Sequence, residues 1–82
     1  VVDVHNLWQL RRGESRTVGG FDARLRDVYR TRLVELGFNP GAAVTCVVAP
    51  RLGAPRLYRV GNAVYSLERQ VAELVTLEGV GA

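Results

Sequence analysis

Lysine is absent from the sequence, so all eleven of its basic residues are arginines. A phosphate-cradling loop of the G-x-x-x-x-G-K-[ST] kind needs a lysine to reach the phosphates, and nucleotide binding of that type is thereby excluded. Cysteine occurs once, at Cys46. A lone cysteine cannot build an internal disulfide framework, which points to a reducing compartment, with the cytosol as the default. Histidine also occurs once, at His5. A Ser/His/Asp triad would have to rest on that one ring, in a loose N-terminal segment with nothing to fix its tautomer. His5 and Cys46 show no C-x-x-C or H-x-x-x-H spacing, and Asp3, Asp22, Asp27 and Glu35 share no spacing that would converge their carboxylates on a cation. No apolar run approaches the ~20 residues that cross a bilayer, and the first residues lack the basic-then-apolar layout of a signal peptide. Without paired acids or an activated nucleophile, the simplest expectation is a binding module and not an enzyme.

What is present suits one small globular unit. The 82 residues are 48% apolar and 23% charged, an ordinary balance for a single domain covering 1–82. A chain of this length buries only roughly 60 to 65% of its unfolded surface, so the core must be small and there is no spare chain for a deep cleft. Eleven arginines against eight acids leave a net charge of +3. The arginines are scattered and form no stripe of the kind a nucleic-acid binder presents. They read as a solvated surface, with a weak preference for an acidic partner as the alternative.

Along the chain, 6–13 (NLWQLRRG) spaces Leu7 and Leu10 for one helical turn laid on a core, with Trp8 to the side and partly exposed. A first strand is expected at 14–21 (ESRTVGGF), with a bulge at Gly19-Gly20. Leu25, Val28, Tyr29, Leu33 and Leu36 then fall at steps of three and four, which predicts a helix over Asp27–Leu36 with these five on its buried face. Arg26, Arg30 and Glu35 fall on the other face, and Arg32 snorkels at the margin. Gly37 can take the left-handed conformation that ends a helix, Phe38 can fold back on the last turn, and Asn39-Pro40-Gly41 is a turn. The next strand, 44–49, alternates Val44, Cys46 and Val48 on one face. That makes Cys46 a small buried hydrophobe and not a ligand. Two strands at Arg56–Val60 and Ala63–Leu67 flank a Gly61-Asn62 hairpin, a helical turn follows at 68–73, and a last strand lies at 74–78. The tail 79–82 is expected to fray. Five short strands, one short helix and Gly/Pro turns predict a mainly β small barrel with the helix between its first and second strands.

Three motifs in this order resemble the FeoA family, ferrous iron transport protein A: Leu7, Leu10, Gly13 and Glu14; then Arg32, Leu33, Glu35, Leu36, Gly37, Phe38, Pro40 and Gly41; then Leu67, Ala72, Val75 and Leu77. Two positions depart from the family's pattern: Glu68 where a basic residue usually follows the strand leucine, and Val71 where an acidic one usually precedes the alanine. The resemblance implies an SH3-like barrel in the cytosol, without enzymatic activity, that accompanies the bacterial FeoB transporter. It implies protein contact at the inner face of the membrane, with no insertion into it and no nucleic acid. No catalytic residue, cofactor site or metal site is assigned, and weak association with Fe(II) or another divalent ion is left open.

Candidate partner contacts are Trp8, Arg26, Arg30, Arg51, Leu52 and Arg56, because exposed tryptophan, leucine and arginine are favoured interface anchors. Two alternatives belong to other classes. One is the SH3-like regulatory domain of an iron-dependent transcriptional repressor. The other is an oligonucleotide-binding barrel using Tyr58 and Tyr65 as stacking platforms.

Overall fold

The computed structural model describes residues 5–78; the tail 79–82 and Asp3 lie outside them. A 3-10 turn at Leu7–Gln9 precedes strand β1 (Ser15–Phe21), helix α1 (Asp27–Leu36), β2 (Ala43–Val48), β3 (Arg56–Val60), β4 (Ala63–Leu67), the four-residue helix α2 (Arg69–Ala72) and β5 (Val75–Leu77). The strands form one antiparallel sheet in the order β4-β3-β2-β1-β5. This is the expected mainly β architecture, with α1, β3 and β4 at the predicted boundaries and β1 and β2 shifted by one residue.

The end of α1 sets the path of the chain. Gly37 adopts φ 109°, a conformation that costs any residue with a Cβ. Its N–H donates to the Val34 carbonyl at 3.1 Å, and the Phe38 N–H donates to the Leu33 carbonyl at 2.9 Å. This paired closure satisfies two carbonyls that the helix leaves open, and it turns Phe38 inward. Phe38 and Leu33 are both buried in the core. The turn at 39–42 closes with the Ala42 N–H donating to the Asn39 carbonyl at 2.9 Å. Gly41 N–H to Val18 O, at 2.7 Å, and Val18 N–H to Ala42 O, at 2.8 Å, then stitch that turn onto β1.

Leu7, Leu10, Val18, Leu25, Leu33, Phe38, Val44, Cys46, Tyr58, Val60, Leu67, Ala72, Val75 and Leu77 make the core. The first and last sequence motifs supply six of these, Leu7, Leu10, Leu67, Ala72, Val75 and Leu77. Cys46 is buried, its thiol directed at the Val48 carbonyl at 3.9 Å, and burial pushes its pKa up. The β1–β5 ladder is interrupted between Val18 and Gly20. There a Cβ on Gly19 would stand 3.1 Å from the backbone of Leu77 and Glu78, so the bulge expected at the glycine pair is also a point of close strand approach. The outer side of β5 is covered by the N-terminal segment: Asn6 bridges Thr76, and the Leu77 N–H donates to the His5 carbonyl at 2.9 Å.

Two expectations are overturned. Val48 lies outside, 40% exposed, because the β2–β3 register slips between Cys46 and Val48. One extra residue in a strand reverses the side that every later side chain takes. Val28 and Tyr29, placed on the buried face of α1 by periodicity, are 64% and 46% exposed. The chain is anchored by Leu25 before the helix and by Leu33 and Phe38 at its end. The first turn of α1 contributes no buried side chain, so Val28 and Tyr29 stay outside.

Replacing Gly37 by alanine is expected to lower the unfolding free energy by about 1–2 kcal/mol, the conformational cost alone, since an added Cβ meets only ordinary contacts. Phe38→Ala should cost about 3–5 kcal/mol. Urea titrations of both variants check this; equal midpoints for wild type and Gly37→Ala would show that the left-handed stop is not needed.

Candidate interaction site

The sequence-predicted contact residues fall into three pairs. Arg56, at the start of β3, lays its guanidinium over the Trp8 ring, 4.1 Å from the centroid, and Arg69 of α2 stands 5.9 Å from the same ring. Arg56 also donates to the carbonyl oxygens of Trp8 and Leu10. Two residues along the strand, and therefore on the same face, the Tyr58 hydroxyl donates to the Leu7 carbonyl at 3.1 Å. Burial pushes the Tyr58 pKa well above its ordinary range, so the phenol stays protonated and donating. Together Arg56 and Tyr58 fasten the 3-10 turn and the residue that follows it to β3 through the carbonyls of Leu7, Trp8 and Leu10. Trp8 and Arg56 are thus engaged with each other, and Trp8 keeps only a partly exposed face. Tyr58 is unavailable for base stacking, and Tyr65 packs against Phe38 with ring centroids 6.0 Å apart.

The second pair, Arg51 and Leu52, stands on the loop joining β2 to β3. Leu52 is fully exposed and adopts φ 66°. A left-handed leucine costs about 1–2 kcal/mol, and nothing in the core repays it. The third pair, Arg26 and Arg30, belongs to the start of α1. Arg30 is ion-paired with Asp27, whereas Arg26 lies 6.0 Å from the Tyr29 ring. Among the described residues no hydrogen bond, ion pair or stacking contact links one pair to another.

The structure adds a feature that sequence reasoning missed. A groove of about 630 Å³ runs along α1. Its first wall carries Leu25, Tyr29, Leu33 and Leu36, and its second carries Leu67, Val71 and Leu74 from β4, α2 and the approach to β5. Arg24, Arg26 and Arg32 line the helix side, with Glu68 opposite. Asp22 holds Arg24 in place: Oδ1 accepts from Nε at 3.0 Å and from the Arg24 backbone N–H at 2.8 Å. These bonds, the side-chain one foremost, lower the Asp22 pKa to about 2. Arg26 and Arg32 have no ion-pair partner among the described residues. The available signal was Arg32 beside the apolar stripe, but the opposite wall lies more than thirty residues away in sequence. Among the described residues no group of three or more His, Cys, Asp or Glu could hold a metal ion, and no helix is long and apolar enough to cross a membrane.

An antiparallel sheet of five short strands wrapped around Phe38 and Tyr58 has the organisation of an SH3-like domain. The chain belongs to the FeoA domain family, which matches residues 5–79. It is similar to the zinc-complexed FeoA of Stenotrophomonas maltophilia, described as a prokaryotic SH3 domain protein, at 31% identity and TM-score 0.79, with 92% of this chain and 91% of that one covered. The FeoA protein of Chlorobium tepidum matches at 26% identity and TM-score 0.80, over 94% of this chain and 70% of that one. A manganese-dependent transcriptional repressor shares the fold at TM-score 0.79 with 13% identity, over 94% of this chain and 42% of the repressor. No curated protein matches the sequence. The two departures from the family pattern, Glu68 and Val71, both line the groove.

Two outcomes follow from these contacts. Arg56→Ala should destabilise the fold by about 1–3 kcal/mol, through loss of the stacked cation and its carbonyl bonds. It should also shift the emission of Trp8, the sole tryptophan; an unchanged spectrum would show that the stack does not hold the turn. Because the folded Asp22 pKa lies below its unfolded value, its stabilising effect is present above about pH 4 and fades as pH falls through about 2. A carboxyl NMR titration should find a midpoint near 2 that rises toward the ordinary carboxylate value in Arg24→Ala.

Proposed function

We propose that this protein is a cytoplasmic, non-enzymatic accessory of bacterial ferrous iron uptake, acting by contact with a FeoB-type membrane transporter at its cytosolic face. The observation that carries this reading is the FeoA match across residues 5–79. The S. maltophilia relative is described as a candidate ferrous iron transport activating factor. The surface supports action by contact: an exposed leucine on a loop and arginines that have no ion-pair partner among the described residues are chemistry for binding a protein.

Of the six proposed contacts, Arg51 and Leu52 are the cleanest to test. Neither is tied into the fold, whereas Trp8 and Arg56 brace the 3-10 turn and Arg30 is paired to Asp27. The repressor likeness, at 13% identity, shows the fold alone and does not carry a regulatory reading.

The test is a pulldown of the detergent-solubilised transporter encoded in the same genome. Wild-type protein should capture it, and Leu52→Asp or Arg51→Glu should weaken capture by about tenfold or more, as for anchor residues of an interface. Failure of the wild type to bind removes the accessory reading; undiminished binding by both variants removes the loop as the contact.

A further inference from the structure

We propose that the groove between α1 and α2 is a docking site for an acidic, leucine-bearing amphipathic helix of a partner protein. The inference deepens the accessory reading by describing the chemistry of the partner, and rests on it only for the partner's identity.

The lining extends from Arg24 to Leu36, the full length of a ten-residue helix, or about 15 Å at 1.5 Å per residue. Its walls are side chains of two helices and the strand ends beside them. Leu25, Leu33 and Leu36 face Leu67, Val71 and Leu74 across the groove. A helix lying in such a channel presents apolar anchors at i, i+3, i+4 and i+7. Tyr29, 46% exposed, adds an aromatic surface of the kind enriched at interface centres.

Charge then decides which helix fits. The α1 wall holds three arginines, and the facing wall has one acid, Glu68. Asp22 already neutralises Arg24. Among the described residues Arg26 and Arg32 have no carboxylate partner, so an occupant with Asp or Glu along its α1 side supplies one, while a basic helix would meet repulsion.

The test uses a designed helical peptide with leucines at i, i+3, i+4 and i+7 and glutamates elsewhere, its lysine counterpart, and the purified cytosolic portion of the transporter. Amide NMR follows the intact protein. The acidic peptide should shift the amides of Leu33, Leu36, Val71 and Leu74, and the double variant Arg26→Glu/Arg32→Glu should weaken it by about tenfold. Arg51→Glu, the same charge change outside the groove, should leave peptide binding unaltered. Both groove arginines are exposed and, among the described residues, without an ion-pair partner, and the variant's own spectrum confirms its folding. Equal binding of acidic and basic peptides overturns the proposal. So does absence of groove shifts, or shifts confined to the β4 edge, which would indicate strand pairing. A transporter fragment that binds while the groove amides stay still sinks the groove and leaves the accessory reading. A groove that takes the acidic peptide while the transporter fragment does not bind supports the groove and removes the transporter reading.

Discussion

Where Gly37 turns left-handed at the end of α1, its own N–H and that of Phe38 close back on Val34 and Leu33, and the Phe38 ring is carried into the sheet. The rest of the fold depends on that closure. It ends the helix, and it starts the turn that hydrogen-bonds to β1 at Val18. It also fixes where β2 begins to pair. A helix of ten residues cannot persist alone in water, so the same ring that fills the core also holds the helix to the barrel.

The consequence for the surface follows from where the anchors lie. Leu25 and Phe38 pin the chain on either side of α1, and within the helix only Leu33 is buried. The remainder of the apolar stripe is not buried. Tyr29 therefore stands in the wall of an open groove, Leu36 lines the same wall while packing partly against the core, and the arginines interleaved with them become its charged margin. The groove is a by-product of a helix docked at its ends.

Local chemistry was legible in the sequence. The helix bounds, the Gly37 stop, the Gly61-Asn62 hairpin and the bulge at Gly19-Gly20 each rest on propensities within a few residues, and each is in place. The buried leucines of the 3-10 turn were readable from their three-residue spacing for the same reason. Periodicity failed at Val28 and Tyr29, because it reports which side chains share a face and not how far the opposing surface extends. Alternation failed at Val48, because a register slip is decided by pairing with β3. The Arg56–Trp8 stack joins residues 48 positions apart, so nothing local distinguishes Arg56 from the exposed arginines. The groove walls are separated in the same way, and arginines read singly as solvated become a rim only once α2 is set opposite α1.

Burial of Cys46 beneath the sheet carries a chemical implication for a chain whose relatives include ferrous iron transport proteins. Peroxide, with which ferrous iron reacts, oxidises side chains chiefly at thiolate and thioether sulfur. This sequence contains no methionine, and its only sulfur atom is shielded from solvent and held in the protonated thiol form. Oxidation to sulfenic acid or to a mixed disulfide requires an accessible thiolate, so the folded sheet keeps its one thiol out of that chemistry.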